Sequence, residues 1–252
     1  MDDLFDLTGK VALVPGIGGI GHALVLGLAE QGADVIVADL QVDHLEKVAD
    51  EIRALGRQSL ALAVDVTQEL SVADMVKHTL EAFPRIDILV NSFGFAIRKP
   101  AVDFPVEEWQ QVVDVNARGT FICCQAVGRE MVKQGSGKII NISSVRGRYG
   151  LSRHAAYCAS KGAVDTLTRS LACEWAKYNV LVNAIAPTYV ETELTREILA
   201  EPAFAKRMKA RIPLGRWALP EDIVGPTVFL ASKASDFVTG QIVYIDGGVT
   251  TW

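Results

Sequence analysis

The sequence predicts one doubly wound α/β domain, a seven-stranded parallel sheet with helices on both faces. Three observations predict it. Apolar runs of four to seven residues recur along the chain, and each leads into a stretch with helical spacing. The runs are continuous rather than alternating, as strands must be when βαβ crossovers bury both faces of the sheet. Finally, 252 residues, half of them hydrophobic and 22% charged, fit a single well-cored unit, and no Pro/Gly/Ser-rich linker or charge block divides residues 1–252.

The elements follow in order. Strands are expected over Val11 to Val14, Asp34 to Ala38, Leu60 to Val64, Ile86 to Val90, Lys138 to Ile142, Val180 to Ala184 and Ile242 to Ile245. Helices are expected over His22 to Gln31, Leu45 to Leu55 and Ser71 to Phe83, with long helices around Trp109 to Gln134 and Ser160 to Ala176. In the last of these Ala163, Leu167, Leu171 and Trp175 fall on one stripe. This alternation is that of a Rossmann fold.

Composition narrows the function. A net charge of -5 and a pI near 5.4 give no basic field for a nucleic-acid backbone. The start, Met-Asp-Asp-Leu-Phe-Asp, is too acidic and too poor in apolar residues for a signal or transit peptide, and no run reaches the length of a membrane span. Cys123, Cys124, Cys158 and Cys173 show no CxxC spacing and no nearby histidine cluster, so neither a metal site nor a disulfide framework is expected. A cytoplasmic setting is the default.

The first chemical signal is the turn Val14-Pro15-Gly16-Ile17-Gly18-Gly19-Ile20-Gly21. Glycines let the backbone turn tightly and approach a pyrophosphate, while the helix opening near Ile20 aims free N–H groups at it. The strand Asp34 to Ala38 then ends in Asp39, eighteen residues past Gly21. A carboxylate there can accept both hydroxyls of an adenosine ribose and would repel a 2′-phosphate. With no Arg or Lys at Leu40 or Gln41 to offset it, NAD is expected in preference to NADP.

The second signal is Tyr157-Cys158-Ala159-Ser160-Lys161, a phenol and an ammonium four residues apart and so on one helix face. The strand Lys138 to Ile142 runs into Ser143-Ser144, and Ser144 precedes the tyrosine by thirteen residues at the carboxyl end of the sheet. Ligands of doubly wound folds sit there. A hydroxyl, a phenol and an ammonium at that edge make a carbonyl-reducing constellation.

These residues resemble the short-chain dehydrogenase/reductase family along nearly the whole chain. The likeness rests on the glycine turn, Asp65-Val66-Thr67, Asn91-Ser92-Phe93-Gly94, Asn116, Ser144, Tyr157 with Lys161, Pro187 to Thr192, and Asp246-Gly247-Gly248. It implies that Asn116, Ser144, Tyr157 and Lys161 form the catalytic tetrad, that Asp65 and Val66 flank adenine, that Asn91 supports the central loop, and that Val190 and Thr192 bind the carboxamide. It also implies a homotetramer built on the long helices. Three positions depart from the pattern. Pro15 replaces a threonine and the turn is one residue short, Ser92-Phe93 replaces Asn-Ala, and Thr188 follows Pro187 where glycine is usual.

The implied chemistry is hydride exchange between an alcohol or ketone and the nicotinamide, with Tyr157 as acid/base. A phenol titrates near pH 10, so neighbouring positive charge must favour its phenolate, and Lys161 is expected to supply it. Phe95 to Lys99, Val145 to His154 and a mobile lid over 189–216 should line the substrate pocket. They carry Arg98, Lys99, Arg146, Arg148, Arg153, His154 and Arg211, with Tyr189 beside them. Arginine forks suit an anionic group, and Phe95 to Pro100 followed by Glu107-Glu108-Trp109 resembles the branch acting on gluconate-like sugar acids and polyols. Two alternatives stand: a 3-oxoacyl-carrier-protein reductase, and a catalytically silent dinucleotide-binding sensor or scaffold.

Overall fold

A computed structural model describes residues 4–251. Seven strands form one sheet in the order β3-β2-β1-β4-β5-β6-β7, every pair parallel. They are β1 Val11–Pro15, β2 Asp34–Asp39, β3 Ser59–Ala63, β4 Ile88–Asn91, β5 Gly137–Ile142, β6 Val180–Pro187 and β7 Ile242–Ile245. The expected seven strands are present, with shifted ends. Asp39 is the last residue of β2, and β6 runs three residues further than expected, to Pro187. Ile86, expected to open the fourth strand, is buried just ahead of β4.

Alternate strand residues supply two apolar layers, which is why the strands read as continuous apolar runs. Ala12, Val14, Val35, Val37, Ile88 and Val90 pack on the side of α1 (Gly21–Glu30), α2 (Leu45–Ala54) and, further along the chain, α9 (Glu221–Ala231). Leu13, Ile36, Leu89 and Ile139 pack on the side of α3 (Glu69–Ala82), α5 (Thr120–Gln134) and α6 (Ala155–Trp175). Between β1 and β4 the strand order reverses direction, and the carboxyl ends there open a cleft.

Three features differ from the periodicity reading. The helix α6 begins at Ala155, five residues before the apolar stripe suggested, which brings Tyr157 into its first turn. The long helix is α4 (Val106–Val113) joined to α5 by a π-helical stretch, Asp114–Gly119. Such widened turns recur at functional sites, and this one carries Asn116. Beyond β6 lie two short helices, α7 (Glu193–Ala200) and α8 (Pro202–Lys209). They enclose a third small cluster, Leu199, Met208, Ile212 and Trp217, in which the Tyr189, Phe204 and Trp217 rings meet at centroid distances of 5.5 to 6.3 Å. Among the described residues no helix is long and apolar enough to cross a membrane, and no group of three or more His, Cys, Asp or Glu could hold a metal.

Candidate active site

The glycine turn joins β1 to α1. Gly16 and Gly19 have φ of +92° and +60°, a region that side chains avoid, and a Cβ on Gly16 would strike the Phe93 backbone. Gly21 packs as tightly, because a Cβ there would run into the Gly16 carbonyl oxygen. Gly18 is open, with nothing within 4 Å of where its Cβ would stand. Ile20, the N-cap of α1, brings no side-chain acceptor to the first turn, so its free N–H groups suit an anion. The shortened turn is tied to β2: Asp39 Oδ2 accepts from the Ile17 N–H at 2.8 Å, and Oδ1 from the Gln41 N–H at 3.2 Å. Leu40 beside it is exposed.

The neighbouring loops complete this half of the cleft. Asp65 Oδ1 accepts from the Thr67 N–H and hydroxyl at 2.9 and 2.6 Å. Val66 packs within 3.0 Å of where a Gly119 Cβ would stand. Asn91 is buried and donates to Asn141 Oδ1 at 2.8 Å and Cys124 Sγ at 3.3 Å, while its Oδ1 has no protein partner. The Ser92 and Thr188 hydroxyls are likewise buried and unpartnered, both at positions that depart from the family pattern. Across the cleft, Val190 bridges to Ala218, and Thr192 caps α7 with its methyl 3.7 Å from the Cβ position of Gly19. Tight glycines, an uncapped helix start, a strand-end carboxylate and unpaired hydroxyls together fit a dinucleotide.

The other half is built on β5 and α6. Ser144 follows β5 and caps the 3₁₀ turn Val145–Gly147, accepting from the Arg146 N–H at 3.2 Å. Its hydroxyl donates to the Pro187 carbonyl at 3.5 Å and draws down the pKa of the Tyr157 phenol. Lys161, one turn beyond Tyr157, is only 4% exposed and donates to the Ile142 carbonyl at 2.7 Å, with Nζ 5.9 Å from the Tyr157 ring centroid. Asn116 Nδ2 donates to the Phe95 carbonyl and to Ser160 Oγ, both at 2.9 Å, and its Oδ1 accepts from the Phe95 N–H at 3.0 Å. Asn116 Oδ1 and Lys161 Nζ both lie within 3.3 Å of the Gly94 Cβ position, so only a glycine there leaves them room.

Burial pushes the Tyr157 phenol above its usual range, against the pull of the Ser144 hydroxyl, with Cys158 adding to the rise and the Arg146 charge opposing it. Lys161 itself is brought down to about 8 by burial, opposed by the charge of Asp165. Asp165, one further turn along α6, was not singled out in the sequence. It is buried, accepts from the Ser143 hydroxyl at 2.5 Å, and is raised by burial against the pull of Ser143, Arg169 and Lys161. The four-residue spacing from Lys161 was the available signal.

The expected substrate cations separate into three places. Arg146 and Tyr189 line a pocket of about 210 Å³ with Tyr149, Thr188, Arg211 and Val249. There Arg146 donates to the Tyr189 hydroxyl at 3.4 Å with its guanidinium 5.6 Å from that ring's centroid. His154 stands nearby, its imidazole lowered first by burial and then by the charges of Arg98, Arg146 and Arg153. Arg148 is elsewhere: the 3₁₀ turn directs it over the Tyr149 and Tyr244 rings at 5.4 and 5.8 Å, in a surface groove with Asp165 and Arg169.

This geometry has known counterparts. The family model described as Enoyl-(Acyl carrier protein) reductase matches residues 16–250. The chain is 40% identical over 250 residues to the 5-keto-D-gluconate 5-reductase of Escherichia coli (strain K12), covering 99% of this chain and 98% of that protein. It is 41% identical over 250 residues to the NAD-dependent glycerol dehydrogenase of Listeria innocua serovar 6a, covering 99% and 97%. The crystal structure of a gluconate 5-dehydrogenase from Burkholderia cenocepacia J2315, in complex with NADP and tartrate, superposes with a TM-score of 0.96 at 39% identity, over 100% of this chain and 99% of that one. With likeness along the whole chain and the resemblance carried by these same loops, the chain belongs to the short-chain dehydrogenase/reductase family.

Proposed function

We propose that the protein is an NAD-dependent dehydrogenase that interconverts a secondary alcohol and a ketone on a sugar-acid or polyol-like small molecule. One observation carries the reading: Ser144 after β5, Tyr157 and Lys161 on α6, and Asn116 in the π-helical stretch gather at the carboxyl ends of β4 and β5 beside the glycine turn. A bound nicotinamide supplies the hydride acceptor or donor. Gly16, Gly18, Gly19, Ile20 and Gly21 would hold its pyrophosphate, Asp39 and Leu40 the adenosine ribose, Asp65 and Val66 the adenine, and Pro187, Val190 and Thr192 the nicotinamide side, with Asn91 bracing the loop between.

The chain's own groups do the proton work. Ser144 holds the substrate oxygen, and Tyr157 takes the hydroxyl proton in oxidation or returns it in reduction. Because burial raises the phenol, Tyr157 rests protonated at neutral pH in the free protein. Lys161 fixes the nicotinamide ribose and passes protons outward past Asn116. Arg146 and Tyr189 face the substrate from the pocket wall, Arg98 and His154 from its rim, and Arg148 acts only through the Tyr149 ring.

The preference for NAD rests on Asp39, whose carboxylate sits where a 2′-phosphate would have to go and has no cation beside it. Relatives of both kinds exist, one named as NAD-dependent and one solved with NADP, so the choice is made locally. Residues 189–216 form the lid of a single 1–252 domain in a cytoplasmic enzyme. Exposed Trp109 and Phe121 on the α4–α5 run suit the subunit contacts of a homotetramer, which light scattering would confirm at four chain masses.

A panel of sugar acids, polyols and acetoacetyl thioesters, each with NAD(H) and NADP(H), tests the reading. Turnover of acids or polyols with NAD supports it. Turnover confined to the thioesters makes the protein a 3-oxoacyl-carrier-protein reductase. Dinucleotide binding without turnover of any of them makes it a silent sensor.

A further inference from the structure

Arg146 and Arg211 are 65 residues apart in the sequence, yet both line one pocket, with Tyr149 and Tyr189. Arg146 follows the Ser144 turn and is half-buried, while Arg211 comes from the segment after α8 and is exposed. Some guanidinium groups of the molecule hold a carboxylate, as Arg53, Arg85 and Arg216 do within 2.8 Å. Among the described residues neither Arg146 nor Arg211 has such a partner. Arg146 rests on the Tyr189 ring and hydroxyl instead.

The surroundings add to the imbalance. His154 is held down partly by the charges of Arg98, Arg146 and Arg153, so this corner is cationic in a protein whose net charge is -5. On the same wall the Tyr189 hydroxyl lies 3.4 Å from the Arg146 guanidinium. Two guanidinium groups that line one small cavity without a carboxylate partner complement a carboxylate.

We propose that this pocket reads the carboxylate of the substrate: Arg146 and Arg211 take its two oxygens, and the protein acts on polyhydroxy acids in preference to the corresponding neutral alcohols. The proposal rests on the dehydrogenase reading above and sharpens it, because relatives of nearly equal identity are named for an acid and for glycerol. Arg146 has a second effect, since its charge also acts on Tyr157. Arg211 does not share that contact, which makes it the cleaner probe.

The experiment measures kcat/KM for matched pairs, D-gluconate against D-sorbitol and D-glycerate against glycerol, and reads the acid-to-alcohol ratio. That ratio cancels any effect on the shared acid/base step. The expected result is a ratio well above one in the unmodified protein, falling about tenfold in Arg211→Gln and about a hundredfold in Arg146→Met/Arg211→Gln, with the loss in KM more than in kcat. Arg211 is exposed, so its variant tests the idea even if the double variant folds poorly. A ratio near one in the unmodified protein, or one that Arg211→Gln leaves unchanged, overturns the anion assignment while leaving a dehydrogenase. Oxidation of neither member of any pair with either dinucleotide overturns the dehydrogenase reading as well.

Discussion

The two walls of the cleft are made differently. On the β5–α6 wall, Ser143, Ser144, Tyr157, Lys161 and Asp165 lie within 23 residues of one another; Ser143 donates to Asp165, and Ser144 and Lys161 donate to strand carbonyls. The facing wall is assembled from the glycine turn, the end of β6 and the segment of α7 and α8, joined by the Val190–Ala218 bridge and three aromatic rings. Chemistry is fixed by helix spacing, recognition by tertiary contact. Changes on the first wall should therefore alter rate, Arg146 excepted because it also lines the substrate pocket, and changes on the second should alter binding and selectivity.

The largest contrast is expected at Lys161. Lys161→Met should cut kcat by two to four orders of magnitude, about the range for a positioned acid/base system, and yet stabilise the fold. The ammonium is buried and its pKa is lowered to about 8, so the unfolded chain holds the proton more tightly and the native state is penalised wherever the lysine is charged. Removing it should add about 2 kcal/mol at neutral pH, after allowing for the unpaired Ile142 carbonyl. The gain should be full below pH 8 and fade as the pH rises to that of an ordinary lysine. Urea melts at pH 7 and pH 10.5 check this, and a variant less stable than the parent at pH 7 would show that the ammonium's bond to Ile142 and its attraction to Asp165 outweigh the cost of burying it.

Next in size is Asp39→Ala, on the facing wall. It should raise KM for NAD about thirtyfold, because a carboxylate accepting from a ribose is a charge-assisted partner and the Ile17 N–H also loses its acceptor. KM for NADP should rise less or fall. Equal losses for both nucleotides would show that Asp39 only braces the turn.

A smaller effect is expected at Asp165. Asp165→Asn keeps an acceptor for Ser143 but removes the charge that holds Lys161 protonated. Lys161 then loses its proton at lower pH, so the alkaline limb of kcat/KM should move down the pH scale, with kcat at pH 7 falling a few-fold. Ser143→Ala, which keeps the charge, should leave that limb in place. Smallest of all is Gly18→Ala. The added methyl meets no protein atom within 4 Å, so the melting temperature should hold while NAD binding weakens about fivefold if the pyrophosphate lies against that turn.

The same contrast explains what could be read from the sequence. Strands buried on both faces announce themselves as apolar runs, and a catalytic pair on one helix announces itself by its spacing, so the sheet and Tyr157 with Lys161 were legible. Asn116 was legible only through resemblance, because the π-helical stretch that turns it inward leaves no mark in hydrophobic periodicity. Arg148 and Arg146 are indistinguishable in sequence, two residues apart on a short turn, yet only Arg146 faces the pocket. That Arg146 also bears on the Tyr157 phenol was not legible, because only the 3₁₀ turn after Ser144 brings it there.

The measurement closest to the heart of the account is turnover by Tyr157→Phe, taken together with its affinity for NAD. Loss of the phenolic hydroxyl should lower kcat by two orders of magnitude or more, roughly the share of a general acid/base, while NAD binding stays within about twofold of the parent. A variant that keeps most of its turnover would show that the proton leaves the substrate by another group, and would contradict the account.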